Sequence, residues 1–327
     1  MKKITAVFAL ALAVLVSAHP ASAQQTGKVY RIGTIRPYDR PSPSWNAFLQ
    51  GLRDIGYIEG QNLMIEYRYG KGRKERVPNL VNELVQQKVD VIFVTNQVAI
   101  RAAKKATKTI PIVMLSSIDP VAAGLVYSLT HPGGNITGLT RLKGALSAKR
   151  MELLKEVVPK MSRIAILWNP GGPGSIASFK ESEVAARAFK LDLQSLEVRG
   201  PNPDYENAFQ AAKKGCSDAL IIVSSPPNIT PHRKRIMRLV TRDRLPSMTP
   251  GPRWVEDGGL MSYQADTIDE YRRAATYIDK ILKGTKPADL PVERAMKFLL
   301  HVNLKIAKEL GLTIPPEILM NADKVIQ

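Results

Sequence analysis

The residues of this chain that could do chemistry are hydroxyl and amide side chains that follow short apolar runs. Thr95 and Asn96 come directly after the run Val91–Val94. Ser116 and Ser117 come directly after the run Ile112–Leu115. Such side chains donate and accept hydrogen bonds, but they form no nucleophile–base pair and no cluster with metal-ligand spacing. The pattern therefore predicts non-covalent binding of a polar ligand.

The elements that must position these side chains are two buried strands and the helix between them. Both apolar runs have the length and β-branched composition of strands that are covered on both faces. The segment between them, Val98–Thr107, predicts a helix that carries several basic residues. A strand–helix–strand unit requires parallel strands, and ligands of parallel sheets lie beyond the carboxyl ends of the strands. The polar groups are predicted at that edge.

A second series of elements repeats the first. The segment Asp90–Asn96 (DVIFVTN) corresponds to Asp218–Ser224 (DALIIVS), and Arg31–Ile35 corresponds to Arg163–Leu167. The spacing between the corresponding residues is nearly constant along the chain. Two similar βαβ series predict an α/β protein with two Rossmann-like lobes, each built on a parallel sheet.

A glycine-rich turn opens a helix in the second series. Gly172–Ala177 matches the pattern GxGxxA after a strand, and Glu197 follows at the spacing of a dinucleotide fingerprint. Because Pro173 stiffens this turn, we favour a carboxylate bound by the free N–H groups and positive dipole end of the helix. Ser44 is predicted to cap the corresponding helix of the first lobe, Trp45–Ile55.

These observations give a set of candidate ligand-binding residues at equivalent places in the two lobes. Trp45 and Trp254 are candidates for an apolar wall, whereas Trp168 is predicted to be core. No catalytic residue, metal ligand or cofactor is expected, because no HExxH, CxxC or GxSxG motif occurs in the chain. The candidates are Thr34, Arg36, Ser44, Trp45, Thr95, Asn96, Ser116, Ser117, Asn169, Ser175, Ser224 and Ser225.

The amino-terminal segment predicts export. Lys2 and Lys3 precede the apolar run Ile4–Val16, and Ala21–Ala23 forms an A-x-A cleavage site. The apolar run is too short to span a bilayer as a helix. We therefore expect a signal peptide over residues 1–23, cleavage after Ala23, and a free periplasmic protein.

The formal net charge of the chain is +18. Such a charge can indicate nucleic acid or another anionic partner. The basic residues are scattered over several predicted helices, and few aromatic residues lie among them. Export also argues against nucleic acid, so solvated helix faces are the favoured interpretation and an anionic partner is the alternative.

Longer stretches of the chain resemble a known family. They include Gly56–Leu63 (GYIEGQNL), His131–Gly138 (HPGGNITG), Gly258–Tyr263 (GGLMSY), Tyr271–Pro291 and Leu310–Pro316. The chain resembles the exported substrate-binding proteins of ABC transporters, in the group described as tryptophan/tyrosine transport system substrate-binding proteins. The resemblance covers essentially all of the chain after the predicted signal.

The resemblance implies a type I periplasmic binding protein fold, in which a multi-strand hinge joins the two lobes and a ligand is trapped by closure. It adds Asp119 and Tyr263 to the candidate residues. We expect a first lobe of residues 24–139 plus about 262–290, and a second lobe of residues 140–261 plus 291–327. The implied function is capture of an amino acid, aromatic acid or other small carboxylate for a membrane permease, by a monomer without enzymatic activity. A periplasmic sensor partner and an exported α/β enzyme are the alternatives.

Overall fold

A computed structural model describes residues 28–37, 39, 41–141, 143–200, 202–223 and 229–327. The predicted signal peptide and the candidates Ser224 and Ser225 lie outside the described residues. Within the described ranges, no helix has both the length and the apolar character that crossing a membrane requires.

Thirteen strands form two sheets in the described part of the chain. The first sheet has the order β11-β5-β4-β3-β1-β2, and the second has the order β13-β12-β10-β9-β8-β6-β7. All pairings are parallel except that between β10 and β12. The strands are β1 (Tyr30–Arg36), β2 (Leu63–Tyr69), β3 (Val91–Val94), β4 (Ile112–Ser116), β5 (Ile136–Thr140), β6 (Arg163–Trp168), β7 (Asp192–Glu197), β8 (Ala219–Ile222), β9 (Ser247–Thr249), β10 (Met261–Ala265), β11 (Glu293–Arg294), β12 (Phe298–Asn303) and β13 (Lys324–Ile326).

Helices connect most of these strands. Three short 3₁₀ segments accompany them, at Lys74–Arg76, Thr230–His232 and Pro287–Asp289. The helices are α1 (Pro43–Asp54), α2 (Val77–Gln86), α3 (Gln97–Ala106), α4 (Lys143–Val157), α5 (Pro173–Ala188), α6 (Tyr205–Lys214), α7 (Arg233–Arg242), α8 (Pro252–Glu256), α9 (Thr267–Leu282), α10 (Leu304–Leu310) and α11 (Pro316–Met320).

Each sheet is covered by helices on both faces, which explains why its central strands are apolar throughout. In β3, Val91 and Phe93 pack with residues of α1 and α9, whereas Ile92 and Val94 pack with residues of α2 and α3. The second sheet likewise carries one core with α4, α5, α10 and α11 and another with α6, α7 and α8. Successive side chains of a strand point to opposite faces, so both faces must be covered. The prediction of two α/β lobes with parallel sheets is confirmed.

Three chain segments cross between the lobes. The chain leaves the first sheet after Thr140, returns after Ala265, and enters the second sheet again between Ala295 and Phe298. The crossings are hydrogen-bonded: the Ala295 N–H donates to the Thr140 carbonyl at 3.0 Å, and the Asp266 N–H donates to the Lys297 carbonyl at 2.9 Å. They form a compact three-segment connection.

Strand pairing assigns parts of the later chain to one sheet or the other. Residues 261–265 pair with β9 and β12 in the second sheet, and Glu293 and Arg294 pair with β5 in the first. The segment that returns to the first sheet therefore follows Ala265 and includes Glu293 and Arg294. The lobe boundaries, about 262–290 for this segment, stay a prediction.

The predicted cap of α1 is wrong by two residues. Ser42, not Ser44, is the N-cap, and its Oγ accepts a hydrogen bond from the Trp45 N–H at 3.2 Å. Pro43 occupies the first helical position, where its missing N–H costs nothing. Ser44 therefore lies within the first turn of the helix.

Candidate functional site

The carboxyl ends of the two sheets face the same connection. The chain leaves β5 and β10 at their carboxyl ends to reach the other lobe, and both strands run parallel to the central strands of their sheets. The side chains that follow the central strands of both lobes therefore border the space between the lobes. This is the edge at which parallel sheets bind ligands.

In the first lobe, β3 and β4 present a joined pair of polar side chains at this edge. Gln97 Nε2 donates to Ser116 Oγ at 2.9 Å, and Ser116 Oγ donates to the Ile118 carbonyl at 2.8 Å. Ser116 is buried, and the Oε1 atom of Gln97 is buried without a hydrogen-bond partner in the described part of the chain. Gln97 was not among the candidates, although it directly follows Thr95 and Asn96 in the sequence.

The neighbouring candidates have mainly local partners. Asn96 caps α3, because its Oδ1 accepts a hydrogen bond from the Ala99 N–H at 2.9 Å. Asp119 Oδ1 accepts hydrogen bonds from the N–H groups of Val121 and Ala122. Thr95 and Ser117 lie half-buried beside them. Asn96 and Asp119 thus shape the turns that place the other polar groups.

At the end of β1, a cation lies on an aromatic cluster. The Arg36 guanidinium lies 4.8 Å from the centroid of the Trp45 ring, and Trp45 packs against Phe48, Phe93 and Tyr67. Trp45 is only 5% exposed, and Thr34 is also buried. Burial raises the pKa of Tyr67 to about 12, so its hydroxyl stays protonated at neutral pH.

In the second lobe, Asn169 fixes the turn after β6. Its Nδ2 donates to the Val198 carbonyl at 2.6 Å, and its Oδ1 accepts a hydrogen bond from the Gly171 N–H at 2.6 Å. The side chain is buried and both of its polar atoms are bonded to the backbone. Asn169 therefore holds the glycine-rich turn in place.

That turn leads into α5 without a capping side chain. The N-cap is Gly172, and the described residues provide no side-chain hydrogen bond to this helix end. Ser175 lies in the first turn, is 6% exposed, and its Oγ has no hydrogen-bond partner among the described residues. Pro173 has no N–H, and the N–H groups of Ser175 and Ile176 both donate to the Gly172 carbonyl at 3.1 Å. The buried, unpartnered hydroxyl at this helix start can bind a carboxylate.

Tyr263 and the three tryptophans occupy different environments. The Tyr263 ring stacks on Phe298 with centroids 5.6 Å apart, and its carbonyl accepts a hydrogen bond from Arg150 Nε at 2.7 Å. Burial raises the pKa of Tyr263 and lowers that of Arg150 to about 10, so both side chains keep their protons at neutral pH. Trp254 is 5% exposed and belongs to the core beside α6 and α7. Trp168 is core as predicted, and its ring stacks on Phe179.

A buried ion pair, which the sequence did not predict, joins the first crossing to the first lobe. Arg141 directly follows β5, and its Nε donates to Glu270 Oε1 at 2.8 Å. Glu270 is 2% exposed, whereas the side chain of Arg141 is 30% exposed. The backbone N–H of Arg141 itself donates to the Ser116 carbonyl at 2.9 Å. A cationic group is thereby held beside the polar edge of β4.

Taken together, the edge offers hydroxyls, an amide, a helix start, guanidinium groups and aromatic rings. This combination can bind a small molecule that carries a carboxylate and an apolar part. Among the residues that the structure describes, no group of His, Cys, Asp and Glu side chains could hold a metal ion.

Comparisons with known proteins agree with this geometry. A family model described as "ABC transporter substrate binding protein" matches residues 42–326. The chain is 26% identical over 273 residues to a "Tyrosine-binding protein" of Clostridioides difficile (strain R20291), a match that covers 81% of this chain and 76% of the relative.

Two solved structures are similar over most of the chain. A conserved domain protein from Vibrio cholerae is 27% identical with a TM-score of 0.80, and the match covers 91% of this chain and 100% of that chain. An ABC domain in complex with L-Trp from Streptococcus pneumonia is 27% identical with a TM-score of 0.79, and the match covers 91% of this chain and 99% of that chain.

Proposed function

Because the chain belongs to the family of ABC transporter substrate-binding proteins, we propose that it captures an amino acid or another small carboxylate between its two lobes. Proteins of this family act outside the cytoplasm and pass a small-molecule ligand to a membrane permease. The proposal concerns the class of ligand, the residues that hold it and the closure of the lobes upon it.

The single observation that carries the proposal is a pair of buried polar atoms, one in each lobe. Gln97 Oε1 in the first lobe and Ser175 Oγ in the second are both buried without a hydrogen-bond partner among the described residues. Both belong to the first turn of a helix whose start borders the space between the lobes. Buried polar atoms normally have a partner, so a ligand that bonds both would favour the closed arrangement.

The ligand class follows from the surrounding groups. A carboxylate suits the uncapped start of α5 and the guanidinium of Arg141 or Arg36. An apolar or aromatic side chain suits the aromatic cluster around Trp45. Tryptophan and tyrosine satisfy both conditions, and the names of two relatives mention them. We therefore place L-tryptophan and L-tyrosine first among the compounds to be tested.

The remaining parts of the proposal concern the form in which the protein works. It is exported with cleavage after Ala23, works as a monomer, and changes no covalent bond of its ligand. The support for export is the charged and apolar pattern of the first residues. The support for binding alone is that the described polar residues at the edge form no arrangement of nucleophile and base.

The experiment is a thermal-shift screen of residues 24–327 against amino acids, aromatic acids and small carboxylates. Binding to the folded state alone stabilises it by about 2.7 kcal/mol at a ligand concentration of 100 times Kd, so a ligand raises the melting temperature clearly. Recovery of the compound unchanged, checked by mass spectrometry, distinguishes a receptor from an enzyme.

Absence of any shift across the panel would contradict the ligand class, and conversion of a compound would contradict a pure receptor. The matched variants are Ser175→Ala and Ser182→Ala. Both serines are buried in α5, but Ser182 Oγ already donates to the Ser178 carbonyl at 2.8 Å. Only Ser175→Ala is expected to reduce the shift.

A further inference from the structure

A basic groove lies on the first lobe at the end remote from the other lobe. It runs between the last turn of α3 and the loop that leads into β5, and its volume is about 510 Å³. Lys104 and Lys108 form one wall, and Tyr127 and Gly133 lie on the other. Because α3 starts at the carboxyl end of β3 and ends near the amino end of β4, this groove is well separated from the candidate ligand site.

The groove continues along α3 past Ala123 and Gly124. Both parts are positively charged and have no acidic residue in their described lining. Arg101, Lys104, Lys105 and Lys108 line them. Within the described ranges, these four cations form no ion pair; Lys104 Nζ donates to the Gly124 carbonyl. The positive potential of this surface is therefore available to an anionic partner.

The same groove exposes an aromatic ring. Tyr127 is 85% exposed, and Val121 on the same loop is 40% exposed. The loop is held in place: the Tyr127 N–H donates to the Pro132 carbonyl at 2.9 Å, and the Leu125 N–H donates to the Pro120 carbonyl at 2.7 Å. An exposed tyrosine beside lysines is the combination that binds at the interface of a bilayer, where the ring enters the headgroup layer and the cations meet phosphates.

The most basic helix of the chain differs from this groove. In α7, Arg233 pairs with Asp257, and Arg242 pairs with Glu206 and Asp243. Positive charge on α7 is thus partly neutralised by neighbouring carboxylates. Within the described ranges, no ion pair reduces the charge of the four cations at the groove in this way.

We propose that this groove docks the protein on an anionic phospholipid bilayer. Arg101, Lys104, Lys105 and Lys108 contact the lipid phosphates, and the ring of Tyr127 enters the interface. Arg101, Lys104 and Lys105 lie along α3, and Lys108 lies two residues beyond its last residue. The four cations do not converge on one point, which suits a surface of many headgroups better than a single small anion. Docking by this end leaves the space between the lobes open and keeps the receptor close to the membrane that holds its permease.

The test is cosedimentation of the protein with vesicles of phosphatidylglycerol and phosphatidylcholine. The variant Lys105→Glu/Lys108→Glu is compared with the control Lys234→Glu/Arg238→Glu, which changes the net charge equally on α7. We expect the wild type to bind vesicles that contain phosphatidylglycerol, with weaker binding at high salt and none to phosphatidylcholine alone. The α3 variant is expected to bind at least about tenfold more weakly, and the control nearly as well as the wild type.

A further variant, Tyr127→Ser, distinguishes a bilayer from a soluble polyanion. It is expected to weaken vesicle binding severalfold and to leave binding of inorganic polyphosphate unchanged. Equal loss of vesicle binding in both charge variants would overturn the proposal, as would absence of binding by the wild type or tighter binding to poly-glutamate than to vesicles. Unchanged melting temperatures of the variants exclude unfolding as the cause of a loss, and failure of this test leaves the ligand screen unaffected.

Discussion

The hydrogen bonds at the amino ends of the strands are nearly the same in the two lobes. In the first lobe, the Arg31 N–H donates to Asp90 Oδ2 at 2.7 Å, and Arg31 Nη2 donates to Glu66 on β2 at 2.7 Å. In the second lobe, the Arg163 N–H donates to Asp218 Oδ2 at 2.9 Å, and Arg163 Nη2 donates to Asp192 on β7 at 3.1 Å. Both lobes therefore have the same type of hydrogen bonds at the start of the strand, from an arginine to two carboxylates.

The carboxyl ends differ at the starts of the corresponding helices α1 and α5. The N-cap of α1 is Ser42, which caps its helix, whereas the N-cap of α5 is Gly172, which provides no side chain. Three residues further on, Trp45 packs in a core, whereas Ser175 carries an unpartnered hydroxyl. The comparison teaches that the two lobes share one hydrogen-bonding arrangement at the amino ends of their strands and differ at the carboxyl ends, where the ligand site is proposed.

The largest predicted effect on stability distinguishes β5 from β10, the strands that precede the first two crossings. Gly138 in β5 has φ +133°, and a Cβ there would lie 2.2 Å from the Met114 carbonyl oxygen, whereas the corresponding third residue of β10 is Tyr263. Gly138→Ala is expected to lower the free energy of unfolding by about 3 kcal/mol or more. Urea denaturation measures it. In the control Gly134→Ala, the added Cβ meets no atom within 4 Å, and a loss as large as that of Gly138→Ala would contradict the steric reason.

A smaller loss of stability is predicted for variants that test whether the hydrogen bonds at the amino ends of the two lobes are equivalent. Asp90→Ala and Asp218→Ala each remove the acceptor for a backbone N–H at the start of a strand, and each is expected to cost about 2 kcal/mol. Asp192→Ala, which removes a carboxylate that is 75% exposed, is expected to cost less than about 0.5 kcal/mol. Chemical denaturation of the three variants provides the values. Clearly unequal losses of unfolding free energy in Asp90→Ala and Asp218→Ala would show that the hydrogen bonds of the two carboxylates are not equivalent.

The smallest effect is a dependence on pH. Burial raises the pKa of Asp218, but hydrogen bonds from the backbone of Arg163 and from Ser162 outweigh it and hold the pKa below its usual value. A carboxyl group with a lowered folded-state pKa stabilises the protein above its unfolded pKa, near 3.9, and that stabilisation is lost as pH falls through the folded pKa. The difference in unfolding free energy between the wild type and Asp218→Asn should therefore narrow as pH falls below about 5. A constant difference over that range would contradict the assignment.

The sequence predicted the scaffold well because its signals are local and repeated. The strand β3 is found at Val91–Val94, as predicted, and β4 begins at Ile112, as predicted, because apolar runs between polar residues mark buried strands. The cap of α1 was misplaced, since both Ser42 and Ser44 can cap a helix and only the position of Pro43 decides between them. The Arg141–Glu270 pair could not be predicted from one sequence, because its partners meet only after the chain has crossed between the lobes twice.

Calorimetric titration with L-tryptophan tests the central claim most directly, namely that one ligand is held by both lobes. The wild type is compared with Gln97→Ala in the first lobe, Ser175→Ala in the second, and the control Ser182→Ala. Each of the first two variants is expected to weaken binding about tenfold through loss of one hydrogen bond, and the control should bind as the wild type does. Binding that is weakened by a change in only one lobe, or in neither, would contradict the account.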